Sequence, residues 1–228
     1  MTPCPKCNTP FDQKEIAIGN ITMQYPYECT KCALETTKRL EDEAKATQDA
    51  EEASRVDLWI KNAGIPLRYK NLTSFSPKNK TQSISWDFRR NLIFFGGTGA
   101  GKTHIACFIA IAGIKHYRKT ARYTTHAEMI RRIKGTWSSK SISEESVIND
   151  LIGCDVLIID EIDKQEYTQY LFQIMDGRYN AMLPTIIIGN ATIDAIKSIL
   201  GDAIVSRLRE QGVSARAFEA VDYRDKKE

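Results

Sequence analysis

The chain has 228 residues, of which 42% are hydrophobic and 27% charged, enough for one ordinary α/β domain with a small appendage but not for a second large domain. No apolar run approaches the roughly 20 residues that a membrane span needs, and the start of the chain, with Pro3 and Pro5 around Cys4, is unlike a secretory signal, so we expect a cytoplasmic protein. The formal net charge of +3 is too small to indicate nucleic-acid binding by itself.

Four cysteines form two C-x2-C pairs near the start of the chain, Cys4 with Cys7 and Cys29 with Cys32. Each pair is a short turn that presents two thiolates to one ion, and two such turns complete the tetrahedral sulfur set that Zn²⁺ accepts. The pattern resembles a zinc ribbon, so we predict a structural zinc ion bound by all four cysteines. A redox-active thiol pair is the alternative, but a doubled C-x2-C in a segment too small for its own core favours a structural metal.

Two simple elements are predicted between and after the cysteine pairs. Short β-like runs at 16–18 and 21–23 flank the dipeptide Gly19-Asn20, which predicts a hairpin. The segment 33–62 lacks proline and glycine and is rich in Glu, Lys, Ala and Gln. This composition predicts a helix, and its scarcity of apolar positions predicts that the helix is a solvated connector.

Beyond the connector, apolar strand-like runs alternate with helical ones. The predicted strands are 92–95, 122–124, 156–159, 184–188 and a weaker run at 217–221. Such alternation predicts an α/β fold, with a parallel five-stranded sheet covered by helices on both faces. We place the domain boundary near residue 55, so that residues 1–55 form the zinc ribbon and linker helix and residues 56–228 form the α/β domain. Ligands of such sheets bind at the carboxyl ends of the strands.

Residues 96–103 read G-G-T-G-A-G-K-T, directly after the first of these strands and before a helical run. This is the pattern of a phosphate-binding loop, in which backbone N–H groups and the helix N-terminus face the phosphates. Lys102 would reach the β- and γ-phosphates, and Thr103 would hold Mg²⁺. The alternative is a glycine-rich turn with a solvated lysine. The predicted nucleotide-binding residues are Gly97, Thr98, Gly99, Ala100, Gly101, Lys102, Thr103 and His104.

Polar side chains follow the next two buried strands at the same edge of the predicted sheet. Asp160 and Glu161 end the run at 156–159, and Asn190 follows the run at 184–188. Asp160 would hold the Mg²⁺ shell, and Glu161 would orient or deprotonate a water molecule, which favours hydrolysis over phosphate transfer to another substrate. Asn190 would position that water. An exposed acidic turn and an ordinary Asn turn are the alternatives.

With these residues in place, the chain resembles bacterial or phage replicative helicase loaders of the DnaC/DnaI type, within the AAA+ ATPases. The resemblance extends from about residue 62 to the C-terminus. It rests on Ala63-Gly64-Ile65-Pro66-Leu67-Arg68-Tyr69, Asn91-Leu92-Ile93-Phe94, Asp160-Glu161, Asn190, Ser206-Arg207-Leu208 and Tyr223-Arg224.

The resemblance implies further roles for individual residues. Asn190 matches sensor 1, Arg207 matches an arginine finger that acts on a neighbouring subunit's ATP, and Arg224 matches sensor 2. An arginine supplied by a neighbour implies self-association through the ATPase domain, because hydrolysis then depends on assembly. Arg68 and Tyr69 would border the adenine. The alternative for Arg207 is an ordinary arginine on a helix surface.

The resemblance also implies partners. Such loaders bind single-stranded DNA on the AAA+ domain and grip a replicative helicase of the DnaB type with their N-terminal region. Residues 115–140 hold eight Lys or Arg against one acid, so phosphate contact and base stacking could combine there. A solvated charged face is the alternative. The candidate DNA contacts are Arg131, Arg132, Lys134, Trp137 and Lys140.

The sequence thus predicts an ATP-dependent loader of a replicative helicase onto single-stranded DNA, with ATP, Mg²⁺ and Zn²⁺ as cofactors and a regulatory hydrolysis. One alternative is an IstB-type transposition ATPase, which shares the ATPase core, acts on duplex DNA and partners a transposase; the cysteine quartet favours the loader. Another is an adaptor that binds DNA and uses ATP only as a clamp, against which the intact Lys102, Asp160 and Glu161 argue.

Overall fold

The computed structural model describes residues 1–18, 21–72, 86, 88–138, 141–162 and 167–218. The chain divides into two compact units, Met1–Arg55 and Val56–Glu228. None of the described helices combines the length and the apolar character that crossing a membrane requires.

The first unit contains two short antiparallel ladders. Strands β1 (Thr2–Pro3) and β2 (Pro10–Phe11) form one pair, and β3 (Lys14–Ile18) and β4 (Ile21–Tyr25) form the other. The second ladder confirms the predicted hairpin, although its turn residues, 19–20, lie outside the described part of the chain. Helix α1 (Thr30–Asn62) begins within this unit and is polar and largely exposed, as its composition predicted.

The second unit is an α/β structure whose five described strands are all parallel. Its elements are β5 (Asn91–Gly96), α2 (Lys102–Tyr117), β6 (Ala121–Thr125), α3 (His126–Gly135), α4 (Glu144–Gly153), β7 (Val156–Asp160), α5 (Thr168–Asn180), β8 (Thr185–Ile188), α6 (Ile193–Gln211) and β9 (Val213–Phe218), with single 3-10 turns at Leu67–Tyr69 and Thr136–Ser138. The strand order is β6-β7-β8-β5-β9. The predicted fold class, an α/β fold around a five-stranded parallel sheet, is confirmed.

The inner strand β7 shows why the sheet needs cover on both faces. All five of its residues are buried, and successive side chains of a strand point to opposite faces. Leu157 and Ile159 pack into the core formed with α3, α4, α5 and α6. Val156 and Ile158 pack into the other core, formed with α2 and the segment before β5. The continuous apolar run of this strand therefore reflects burial on two sides.

The edge strand β9 begins earlier than the sequence predicted. It starts at Val213 and pairs with β5 up to Phe218, whereas the prediction placed a strand at 217–221. Gly212, with φ of 90°, ends α6 and allows the strand to start at once. The predicted bounds were wrong because an edge strand is partly solvated. Its residues are polar or small, so it does not form the continuous apolar run on which the prediction relied. Residues 219–221 lie outside the described chain.

A buried arginine joins three elements of the second unit. Arg178 on α5 is fully buried, and its Nη1 donates to the carbonyl oxygens of Leu151, Ile152 and Cys154 at 2.7 to 2.9 Å. Its Nε donates to the hydroxyl of Thr185 on β8 at 2.9 Å. A cation suits the C-terminal end of α4, where carbonyl groups lack helical partners. Burial lowers the pKa of this guanidinium.

Candidate functional site

The glycine-rich loop joins the end of β5 to the start of α2. Gly99 and Gly101 have φ of 72° and 87°, a left-handed conformation that costs a residue with a side chain about 1–2 kcal/mol. The turn leads directly into the first turn of α2, whose backbone N–H groups have no partners within the helix. The loop therefore forms an anion-binding end of the kind that phosphate groups occupy.

Lys102 is the first residue of α2, directly after this loop. Its side chain is buried, and Nζ donates to the carbonyl oxygens of Gly96 at 2.9 Å and Gly97 at 2.6 Å. A buried ammonium group is stable only when its donors are satisfied. The ammonium group is thus held among the glycine residues predicted to surround the phosphates.

Asp160, at the end of β7, is the hub of the site. It is 4% exposed, and its Oδ2 accepts hydrogen bonds from Thr103 Oγ1 at 2.7 Å and from Tyr123 Oη at 2.9 Å. Its Oδ1 accepts from the backbone N–H of Glu161 at 2.8 Å. Carboxylate and hydroxyl oxygens are the ligands that Mg²⁺ prefers, so the pairing of Thr103 with Asp160 fits the predicted magnesium site.

Tyr123 on β6 was missed by the sequence reasoning. Burial raises the pKa of its phenol, and the negative charge of Asp160 raises it further, so the hydroxyl stays protonated and donates. Strand β6 lies beside β7, and Tyr123 is opposite Ile158 in the register. The sequence placed a strand at 122–124 but gave no strand order, and without the order the contact with Asp160 could not be inferred.

These groups surround one cleft of about 470 Å³. Its lining consists of Arg68, Tyr69, Thr98, Gly99, Ala100, Gly101, Lys102, Thr103, His104, Tyr123, Asp160, Glu161 and Asn190. Gly97 joins them through its contact with the lysine ammonium group. The structure therefore brings the predicted loop, the two carboxylates, the amide and the pair Arg68 and Tyr69 into one site. Glu161 and Asn190 are both exposed.

One part of the cleft lining is a stack of planar groups. The guanidinium of Arg68 lies 4.6 Å from the centre of the Tyr69 ring. The rings of Tyr69 and His104 are stacked, with centroids 5.7 Å apart and planes inclined by 16°. Planar, polarisable surfaces of this kind suit a flat aromatic ligand, in accord with the predicted placement of the adenine beside Arg68 and Tyr69.

Of the two arginines predicted from the resemblance, Arg207 is not among the described residues that line the cleft. Arg207 on α6 donates from Nε to Asp176 Oδ1 at 2.7 Å, and its guanidinium carbon lies 5.0 Å from the centre of the Phe172 ring. Asp176 and Phe172 both belong to α5. Arg207 is thus held against α5 by an ion pair and a cation–π contact. Arg224 lies outside the described residues.

Two of the basic residues predicted to contact DNA form ion pairs with acids. Arg131 donates from Nε to Glu128 Oε2 at 2.8 Å within α3. Arg132 lies 3.8 Å from Asp150, a carboxylate that also accepts from Arg122 at 2.6 Å. These exposed pairs contribute about 0–1 kcal/mol each to stability. The two arginines therefore remain available to a stronger anionic partner.

The aromatic member of this group is more accessible. Trp137 is 66% exposed, and its Nε1 donates to Glu144 Oε2 at 2.9 Å. The ammonium of Lys134 lies 3.6 Å from the centre of the Tyr167 ring, a cation–π contact. Lys140 lies outside the described residues.

The four N-terminal cysteines come together. Their sulfur atoms all lie within 4.8 Å of one another, and none forms a disulfide. Burial opposes the ionisation of Cys4, but backbone hydrogen bonds, the largest from Cys29, lower its pKa to about 6. Hydrogen bonding to Cys7, together with burial, raises the pKa of Cys32. The pKa of Cys4 is thus lowered while that of its neighbour Cys32 is raised. A cation bound tetrahedrally by the four sulfurs, each about 2.3 Å from Zn²⁺, would stabilise the thiolate form of all four. The donor set therefore fits zinc.

Comparison with known proteins agrees with the site. A family model described as IstB-like ATP binding protein matches residues 69–208. A replicative helicase loader DnaC from Buchnera aphidicola subsp. Acyrthosiphon pisum is 34% identical over 146 residues, which cover 60% of this chain and 59% of that protein. The loader DnaC from Escherichia coli K12 is 32% identical over 123 residues, covering 52% of this chain and 50% of that protein. The matched part thus spans about three fifths or less of these relatives.

A solved structure supports the fold. A crystal structure titled as the DnaC helicase loader superposes with a TM-score of 0.55 and 21% identity, covering 67% of this chain and 99% of that one. At this identity the similarity concerns the fold alone. The curated relatives confirm the resemblance to DnaC-type proteins that the sequence motifs indicated, and the solved structure confirms the fold.

Proposed function

The chain belongs to the IstB-like ATP-binding protein family, and on that premise we propose that it is an ATPase that loads a replicative DNA helicase onto single-stranded DNA. The observation that carries the proposal is the contact between the phosphate loop and the acidic end of β7. There, Thr103 and Asp160 lie 2.7 Å apart, beside Lys102 and Glu161 in one cleft.

In the proposed complex with ATP, the ammonium of Lys102 turns from its two carbonyl acceptors to the β- and γ-phosphates. Thr103 and Asp160 hold Mg²⁺, which would neutralise phosphate charge and fix the orientation of the phosphates. The stack of Arg68, Tyr69 and His104 borders the adenine. This assignment accords with the cleft lining, because residues of all three kinds face the same space.

For hydrolysis, we assign Glu161 to orient and deprotonate the attacking water, and Asn190 to position it. Both residues line the cleft and are exposed, so a water molecule can reach either one. Arg207 would come from a neighbouring copy of the chain and stabilise the negative charge that spreads in the transition state. Arg224 keeps its proposed role as sensor 2.

The loading step rests on the curated relatives, which are named replicative helicase loaders. We propose that the unit Met1–Arg55, with zinc bound by its cysteines, grips the helicase and that ATP controls assembly and release. Arg131, Arg132, Lys134 and Trp137 would contact single-stranded DNA, together with Lys140. We propose a cytoplasmic location, in keeping with a role in DNA replication.

A transposition helper that acts on duplex DNA with a transposase is the second candidate, because the matching family model carries the IstB description. The cysteine quartet favours the loader. An adaptor that clamps ATP without hydrolysis is less well supported, because Glu161 follows Asp160 at the rim of the cleft, where a catalytic base would be needed.

The test is a binding and loading experiment with the full chain. Purified protein and ATP are mixed with a hexameric replicative helicase or with a transposase, and binding is followed by size-exclusion chromatography. We expect the helicase to co-elute and to be delivered onto a single-stranded circle, and Lys102→Ala to abolish delivery. Binding to the transposase alone, with stimulation by duplex DNA, would instead support the second candidate.

A further inference from the structure

Tyr123 contacts the Asp160 carboxylate from a strand that carries none of the predicted site residues. Its hydroxyl lies 2.9 Å from Asp160 Oδ2, and the residue lines the nucleotide cleft. Thr103 donates to the same oxygen at 2.7 Å. The carboxylate is therefore gripped from two elements, β6 and α2, on the side where a magnesium ligand is expected.

The number of acceptor positions limits how Asp160 can bind anything else. A carboxylate offers about four lone-pair sites. Two on Oδ2 are filled by Thr103 and Tyr123, and one on Oδ1 is filled by the backbone N–H of Glu161. Because Asp160 is 4% exposed, it cannot turn away to find other partners. These three donors fix the carboxylate plane and leave about one acceptor site on Oδ1.

The backbone of Tyr123 is fixed as firmly as its side chain. Its N–H donates to the carbonyl oxygen of Ala63 at 2.6 Å. Gly64 has φ of 71°, and a Cβ placed there would lie 2.8 Å from the carbonyl oxygen of Tyr123. The approach is thus close enough to require glycine. Tyr123 therefore contacts two parts of the site. Its backbone contacts the segment that leads to Arg68 and Tyr69, and its side chain contacts the Asp160 carboxylate.

We propose that Tyr123 is a positioning residue for magnesium-dependent nucleotide binding: its hydroxyl holds the Asp160 carboxylate in the orientation in which Asp160 and Thr103 together receive Mg²⁺. This inference rests on the proposed ATP-binding function and adds a residue to it. Removing the hydroxyl leaves the ring in place and takes away one of the two donors to Oδ2, so the orientation of the carboxylate is less firmly fixed. The substitution then weakens the Mg²⁺-dependent part of nucleotide binding.

The test compares Tyr123→Phe with the wild type in titrations of a fluorescent, non-hydrolysable ATP analogue, with and without Mg²⁺. A hydrogen bond to a charged group contributes about 1.5–3 kcal/mol. We therefore expect the Mg²⁺ concentration for half-maximal binding to rise about tenfold or more, while binding without Mg²⁺ stays within about twofold. Tyr170→Phe is the matched control, because its hydroxyl donates to Glu144 at 3.2 Å, outside the cleft, and it should change neither value.

A double-mutant cycle separates positioning from a structural effect. In an Asp160→Ala background, Tyr123→Phe should cause no further change in Mg²⁺ dependence, because the carboxylate through which Tyr123 acts is gone. Equal losses in both backgrounds would overturn the inference. Thermal melting of each variant, which should stay near that of Tyr170→Phe, reports on folding. A substantially lower melting temperature for Tyr123→Phe would overturn it in favour of a structural role.

The same titrations distinguish a failure of the role of Tyr123 from a failure of the proposed ATPase function. If the wild type binds the analogue with Mg²⁺ and Tyr123→Phe behaves identically, only the role of Tyr123 is refuted. If the wild type binds no analogue under any condition, the proposed ATPase function fails and the inference fails with it.

Discussion

Thr103 donates its hydroxyl proton to Asp160 across 2.7 Å, although the strands that carry the two motifs are not neighbours. Strand β8 lies between β5 and β7 in the sheet. The first turn of α2, which follows the loop after β5, therefore meets the end of β7 although β8 lies between the two strands. This contact assembles the site at the carboxyl edge of the sheet, as expected for a ligand in an open parallel sheet.

Substitutions of Lys102 and Glu161 should affect ATP binding and ATP turnover differently. Lys102→Ala removes the buried ammonium group of the phosphate loop, so we expect it to abolish ATP binding. Glu161→Gln keeps the size of the side chain and removes its basicity, so binding should persist while turnover falls about 10²-fold or more. Isothermal titration with ATP and a phosphate-release assay measure the two quantities.

The control for this pair is Glu145→Gln, which makes the same chemical change on α4, away from the residues that line the cleft. It should leave both binding and turnover unchanged. Equal turnover in Glu161→Gln and the wild type would remove Glu161 from its assigned role, while leaving ATP binding by Lys102 intact.

Arg178 should matter for stability and not for nucleotide binding. Arg178→Met removes the donors for three buried carbonyl groups around the end of α4, those of Leu151, Ile152 and Cys154. Unsatisfied buried acceptors cost about 1–3 kcal/mol each, partly offset here by relief from burying a charge. We expect unfolding free energy to fall by about 3 kcal/mol in urea titrations followed by circular dichroism. Arg209→Met, at an exposed position of α6, should cost less than about 0.5 kcal/mol.

Sequence patterns located the local parts of the site well. The glycine-rich loop and the acid pair after a buried strand are each contiguous, and their chemistry depends on residue type and spacing. Tyr123 and Arg178 were not found, because each acts through a partner distant in sequence, Asp160 and the end of α4 respectively. Such contacts depend on strand order and helix packing, which a single sequence does not encode in local periodicity.

Zinc should be a stoichiometric part of the purified protein. Four cysteine sulfurs within 4.8 Å of one another predict about one Zn²⁺ per chain by inductively coupled plasma mass spectrometry. Cys32→Ser should lower the content well below one, because three thiolates hold the ion less tightly. Cys107→Ala is the control: this thiol is buried on α2, and burial raises its pKa to about 12, so it should not bind metal. Folded wild-type protein without zinc would contradict the site.

Trp137 should contribute to single-stranded DNA binding by stacking. Its ring is 66% exposed, and base stacking on an aromatic side chain contributes about 1–3 kcal/mol per base. Trp137→Ala should weaken binding of a fluorescein-labelled oligothymidine about tenfold, whereas Trp137→Phe should retain most of it. Met182→Ala, which removes a side chain that is 68% exposed, is the control. Identical affinities for Trp137→Ala and the wild type would remove the tryptophan from the DNA site.

Arg207 should act on the ATP of a neighbouring copy. The guanidinium is held by Asp176 at 2.7 Å and does not join the described residues that line its own cleft. Arg207→Ala should therefore keep ATP binding and lose turnover, by a factor of up to about 10³. Adding Lys102→Ala protein, which has an intact Arg207 but an empty site of its own, should restore part of the activity through mixed interfaces.

Arg209→Ala is the control that shows whether the loss of turnover is specific to Arg207. Arg209 is exposed on the same helix, so its removal makes the same change in charge and should leave phosphate release unaffected. Activity is measured at protein concentrations where light scattering detects assembly, because a residue supplied by a neighbour acts only in the oligomer. If Lys102→Ala fails to rescue Arg207→Ala under those conditions, Arg207 is an ordinary surface arginine fixed by Asp176 and Phe172.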